Sequence, residues 1–179
     1  MKYVEPIRDK VLLSQILEWL KKKNTRDYLM FLIGINTGLR VSDILRLRYK
    51  DLNREIIYIT EKKTGKLKEI PVNSVLREEI KKMGVEYKEQ YIFKSRQGSG
   101  PITTQRAWQI IKAIERKFKL KNLGTHTMRK TFGYHFYQEK KDVVTLMYIF
   151  QHATPEITLR YIGVNRNMVN EAYKAFSLK

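Results

Sequence analysis

The chain contains no cysteine. That excludes a disulfide framework and thiolate chemistry, and it suits a reducing compartment. Long apolar runs are also missing. The longest, Tyr28 to Ile35, falls far short of the roughly 20 residues that span a bilayer. The first ten residues, MKYVEPIRDK, carry charges and a proline where a signal peptide needs an apolar stretch. Only four prolines occur. They are scattered, and neither a Pro/Gly/Ser-rich linker nor a repeat divides the chain, so residues 1–179 read as one domain. Acidic residues are scarce: 18 Asp plus Glu face 36 Lys plus Arg, a formal charge of +18. So large an excess at this length points to a polyanion, because each phosphate neutralised releases a condensed counterion. Apolar residues make up 42% of the chain, enough for an ordinary globular core. The expectation is a cytoplasmic protein, held to the nucleoid through nucleic acid.

The hydrophobic periods predict a mostly helical α+β domain of about seven helices with a small antiparallel sheet of three strands. Leu13, Ile16, Leu17 and Leu20 mark a helix from about Asp9 to Lys22, with Asp9 as its cap. A second helix runs from Thr25 to Asn36 and stops at Gly38, a left-handed position. Ser42 is placed to cap a third, VSDILRLR. The period then changes to two. EIIYITE and KLKEIPV read as strands around Thr64-Gly65, and Tyr91–Phe93 as a third strand. Helices return with Ala107, Ile111, Ile114 and Phe118 on one stripe, followed by THTMRKTFGYHFY, DVVTLMYIF, TPEITLRY and NRNMVNEAYKAF.

Six residues fall in an order that suits phosphodiester chemistry: Arg40, Lys63, His126, Arg129, His152 and Tyr161. Arg40 stands at a helix-to-helix joint, and Asp43 is placed to hold its guanidinium. Lys63 sits beside the hairpin turn, with Lys62, Lys66 and Lys68 as competitors. His126 and Arg129 are three apart, hence on one helical face, in the first turn behind a Thr125 cap. His152 precedes Thr154-Pro155, a helix start that leads to Tyr161. Taken singly, each has a bland explanation: a solvated basic surface, a turn lysine, a packed tyrosine. Their coincidence in one basic chain carries the weight.

On these residues the chain resembles the catalytic domain of the tyrosine recombinases, above all the phage and mobile-element integrases. TGLRVSDILRL, KKTGKLKEIPV, HTMR and FQHATPEITLRYI look like the family's four boxes, over most of the chain from about Asp9. Phe150-Gln151 stands where the family often has Leu-Gly. The resemblance implies site-specific recombination through a 3′-phosphotyrosyl intermediate, with Tyr161 as nucleophile and no metal or other cofactor. It implies that Arg40 and Arg129 grip the non-bridging oxygens, His126 accepts the tyrosine proton, Lys63 protonates the leaving 5′-hydroxyl and His152 hydrogen-bonds the phosphate. The implied partner is double-stranded DNA, bound by a homo-oligomer. The apolar face of the C-terminal helix, 165–176, leaves two readings with equal weight: it closes the domain's own core or, as the resemblance implies, docks on a neighbouring protomer. Backbone contacts are expected at Lys21, Lys22, Lys23, Lys62, Arg96 and Arg106. Only about eight residues precede the first helix, so the helical DNA-binding (core-binding) domain usual in such enzymes is expected to be absent. Two other readings share the fold: an accessory protein that binds DNA without cutting it, and a type IB-like topoisomerase. A helix-turn-helix repressor is a third reading.

Overall fold

The computed structural model describes residues 4–52, 54–82, 89–164 and 173–177. Helix α1 (Lys10–Lys23) starts where the Asp9 carboxylate accepts the Val11 and Leu12 N–H groups, and it buries Leu13, Ile16 and Leu20. Asn24 ends α1 and caps α2 (Thr25–Thr37) by accepting the Asp27 N–H. Every residue of α2 from Asp27 to Gly34 is buried, as expected of the central helix of a layered domain. It stops at Gly38, which is left-handed (φ 63°). A Cβ there would sit 2.5 Å from Phe132 Cδ1, so both the backbone and the space require glycine.

The chain then turns through α3 (Val41–Ile44) and α4 (Tyr49–Leu52) into a hairpin, β1 (Ile56–Thr60) and β2 (Leu67–Pro71). The strands are antiparallel, with Ile57 opposite Ile70 and Ile59 opposite Lys68. Helices α5 (Ser74–Lys81) and α6 (Thr104–Lys117) follow, then α7 (Thr127–Lys140), α8 (Val143–Phe150) and α9 (Pro155–Ile162). Two apolar clusters result. The larger joins α1, α2, the hairpin and α6. The smaller gathers Leu146, Phe150 and Ile162 against Phe132 and Tyr161. Helix α7 lies between them, with Met128 against Gly34 on one side and Gly133 against Phe150 and Ile162 on the other.

The expected architecture holds, with corrections in detail. Among the described residues the sheet has two strands, not three. Tyr91–Phe93 forms no strand: Tyr91 makes a single bridge to Arg48, Ile92-Phe93 turn, and Lys94 makes a second single bridge to Pro101, because Arg48 stands alone between a turn at 45–46 and α4. Among the described residues there are nine helices rather than about seven: α4, only four residues long, is too short to show a period, and α5 went unread in the sequence. Helix α3 begins after Arg40, without a Ser42 cap, and dissolves early as Leu47 N–H bonds to Ile44 O. Helix α7 begins at Thr127, and His126, not Thr125, holds the N-cap position. The C-terminal helix falls largely outside the described residues. Tyr173 and Phe176 are described and exposed.

Helix α8 ends on Gln151, a non-glycine in the left-handed region (φ 54°, ψ 44°). Its Oε1 is buried without a hydrogen-bond partner among the described residues. Gln151→Gly is expected to raise unfolding stability by about 1 kcal/mol, because it removes both penalties. Urea denaturation of the two proteins measures the difference.

Candidate active site

Tyr161 lies on α9, whose Thr154 cap accepts the Ile157 N–H ahead of Pro155 in the first turn. Its hydroxyl is 3.1 Å from His126 Nδ1. His126 is available because its side chain caps nothing. Thr127 does the local bonding instead, accepting Gly124 N–H and donating to Glu5 O. The His152 ring packs edge-on to Tyr161, with centroids 5.1 Å apart.

Arg129 spans the seam between the two apolar clusters. It is 2% exposed and donates to Gly38 O at 2.5 Å and Phe150 O at 2.9 Å, with its guanidinium over the Phe150 ring. Gly38 and Phe150 end α2 and α8, so helix-end carbonyls that need donors receive them from this one side chain. Burial lowers the Arg129 guanidinium to about 10. It stays charged at neutral pH.

Arg40 is held by Glu61, with Nη1 to Oε2 at 2.6 Å. The Glu61 side chain is fully buried and also faces Lys68 at 3.5 Å. Burial pushes the Glu61 carboxyl up, but the Thr64 hydroxyl, Arg40 and Lys68 together hold it below the usual range. Lys68 also donates to Ile149 O, tying the hairpin to α8. The cluster therefore sets Arg40, Arg129 and Lys68 against the buried carboxylates Glu61 and Asp43. Lys130 and Lys63 are also near enough to act by charge on His126, so the site is net positive, as binding a phosphodiester requires. The histidines add none at neutral pH. Burial, then Arg129, lowers His126, and the same causes lower His152 to about 4. Burial also raises the Tyr161 phenol above its usual value, outweighing Arg129 and Arg40.

Five of the six expected residues converge here. Lys63 stands on the exposed turn 62–64, close enough for its charge to depress His126. The expected Asp43–Arg40 pair is corrected: Arg40 goes to Glu61, while Asp43 Oδ1 accepts the Lys62 N–H at 2.9 Å and lies 3.7 Å from Arg46. Asp43 thus anchors the turn that carries Lys63. Sequence reading missed Glu61, and left Lys68 only a competitor. A signal was present. Glu61 shares the period-two face of Ile57 and Ile59, and Lys68 that of Ile70 and Val72, so a carboxylate and an ammonium both pointed inward.

Of the expected backbone contacts, Lys62, Arg96 and Arg106 are exposed, and the two arginines line one cleft of about 430 Å³ with Arg26. Lys21 and Lys22 are exposed but paired with Glu79 and Glu18, and Lys23 lies over Trp19. Among the described residues no cluster of three or more His, Asp or Glu side chains could hold a metal ion. None of their helices is long and apolar enough to cross a membrane.

Lys68 carries a pH prediction. Burial, then the Arg129 charge, lowers it from 10.5 to about 8, with Glu61 opposing. The folded state therefore loses this proton before the unfolded state does. The cost of burying the ammonium is complete below about 8 and disappears as pH rises toward 10.5. The stability of wild type relative to Lys68→Met is expected to grow over that window, by at most about 3 kcal/mol. Denaturant titrations at both ends read it. A constant difference would show that Lys68 is not perturbed.

The family model described as the phage integrase family matches residues 9–168. A curated relative, the probable integrase/recombinase YoeC of Bacillus subtilis (strain 168), is 42% identical over 178 residues, 98% of each chain. Tyrosine recombinase XerA of Pyrococcus furiosus is 28% identical over 171 residues, 92% of this chain but only 59% of its own length. Beside the full-length match to YoeC, the chain thus spans little more than half of this recombinase. A crystal structure of XerA recombinase superposes with a TM-score of 0.78 at 18% identity, covering 99% of this chain and 67% of that one. XerH bound to palindromic difH substrate, a post-cleavage complex, gives 0.75 at 22% identity, covering 95% and 52%. These two likenesses show a shared fold. With the family match over nearly the whole chain, they lead to one conclusion: the chain belongs to the phage integrase family.

Proposed function

We propose that this protein breaks and rejoins double-stranded DNA at a specific site through a 3′-phosphotyrosyl intermediate. The observation that carries the reading is the 3.1 Å approach of His126 Nδ1 to the Tyr161 hydroxyl, beside Arg129 and Arg40. A phosphodiester resists attack because its oxygens repel an incoming oxyanion. Arg40 and Arg129 counter this by binding the non-bridging oxygens, where charge grows in the transition state. Tyr161 is a neutral phenol at pH 7, so it needs a base, and His126 is kept neutral to serve as one. The proton moves to His126, the phenolic oxygen bonds to phosphorus, and the bond to the 5′-oxygen breaks. Lys63, on its exposed turn, protonates that leaving oxygen, and His152 hydrogen-bonds the phosphate. The ester conserves the bond energy, so a second 5′-hydroxyl can reverse the step without ATP.

Strand exchange between two sites further requires more than one protomer. The tail 165–176 is the proposed link. The exposure of Tyr173 and Phe176, and of Val144 and Tyr148 on α8, supports that role.

The test uses nicked duplexes whose target sequence is first selected by binding from a random pool. The nick lets the 5′ fragment diffuse away and traps the intermediate. An adduct that survives SDS and maps by peptide mass to the Tyr161 peptide is expected. Binding without any adduct would assign the chain to a non-cutting role. Relaxation of supercoiled plasmid without strand exchange would make it a topoisomerase.

A further inference from the structure

We propose that Thr158 is a positioning residue, whose buried hydroxyl fixes the His152 ring and decides which imidazole nitrogen carries its proton. This rests on the recombination reading, in which His152 meets the scissile phosphate. Thr158 is completely buried on α9, one turn before Tyr161. Its Oγ1 lies 3.0 Å from His152 Nδ1 and 3.3 Å from Thr154 O. A hydroxyl has one proton. In a helix interior it commonly goes to the carbonyl four residues back, and Thr154 O is that carbonyl. Thr158 then offers only lone pairs to the imidazole, so Nδ1 must carry the proton that joins them.

The other surroundings of His152 do not choose a tautomer. Phe150 and Tyr161 touch the ring as aromatic neighbours, at 5.4 and 5.1 Å between centroids. Arg129 and Arg40 act on it through charge. Thr158 alone, among the described residues, bonds a ring nitrogen. With Nδ1–H committed to Thr158, Nε2 is the nitrogen left for the phosphate. The negative charge of an incoming phosphate favours uptake of a proton from solvent at Nε2, and the resulting imidazolium keeps its Nδ1–H bond to Thr158 unchanged. The ring therefore gains a donor for the phosphate without rotating. The nucleophile and the group that orients its neighbour ride on the same two turns of helix. Any shift of α9 that moves Tyr161 moves the His152 contact with it.

The test combines a spectroscopic readout with kinetics. Imidazole 15N spectra of the DNA-free wild type are expected to show His152 as the neutral Nδ1–H tautomer. Thr158→Val keeps the shape and removes the acceptor, so a mixture with the Nε2–H tautomer is expected. Thr158→Ser is expected to restore the wild-type spectrum. In single-turnover cleavage, Thr158→Val is expected to slow adduct formation about tenfold, the worth of one hydrogen bond. DNA affinity should stay unchanged, and Thr158→Ser should recover the rate. A Thr158→Val protein whose His152 keeps the Nδ1–H form overturns the proposal, whatever its cleavage rate. So does a serine variant that folds but rescues neither readout. The spectra need no catalysis, so a wild type that forms no adduct would count against the recombination reading alone.

Discussion

Tyr161→Phe is expected to form no covalent adduct at all while still folding and binding DNA. The substitution removes a single oxygen. The ring keeps its contacts with Phe150, His152 and His126, with centroids 5.5, 5.1 and 6.2 Å away. The lost bond to His126 Nδ1 costs about 1 kcal/mol, so the thermal midpoint should move by only a few degrees. The arginines proposed to bind the phosphate are untouched. The wild-type pH profile follows from the same geometry. In the proposed mechanism His126 must be neutral to accept the proton, and burial with Arg129 lowers it below 6.5. Adduct formation should therefore hold steady down to about pH 6.5 and decline only as the medium is acidified further. Gel separation after SDS measures both results. An adduct in Tyr161→Phe would mean that another group attacks, and the assignment of the nucleophile would be lost.

Arg129→Lys carries the second largest effect, and it strikes stability as well as rate. The guanidinium serves two helix ends, Gly38 O and Phe150 O, and lies over the Phe150 ring. Lysine keeps the charge but not the planar fork, so its ammonium reaches one carbonyl and leaves the other buried without a donor. A loss of about 1–3 kcal/mol in unfolding stability is expected. The remaining guanidinium donors are the ones proposed for the phosphate, where charge develops during attack. Losing that geometry is expected to slow single-turnover cleavage by about 10²–10³-fold. The change in DNA affinity should be smaller, because a lysine still attracts the backbone. Cleavage within tenfold of wild type would show that Arg129 is a structural clamp and nothing more.

These two residues also mark how far the sequence could be read. Tyr161 stood out among eleven tyrosines only through its spacing from His152 and its neighbour Arg160. Arg129 stood out through His126, but its tie to the ends of α2 and α8 was invisible. Gly38 and Phe150 are 91 and 21 residues away along the chain. The hairpin shows the same division. Its turn at Thr64-Gly65 was legible, and so was a lysine-rich edge. That Glu61 and Lys68 face each other beneath Arg40 depended on strand register, which sets Ile59 against Lys68. The third strand failed because a three-residue apolar run predicts extended backbone but not a partner to pair with.

What residue order determined by itself was local: caps at Asp9 and Thr154, the glycine stop at Gly38, the alternation of the strands, and the four boxes that carry the resemblance. Such signals act within about four residues, through backbone hydrogen bonds and allowed dihedrals, so neighbouring side chains suffice to specify them. Only the tertiary structure decided which charge meets which. Coulombic pairing and desolvation depend on distance through space and on burial, and packing sets both. Hence Arg40 found Glu61 rather than Asp43, and Lys68 became a largely buried cation while Lys63 stayed in the open.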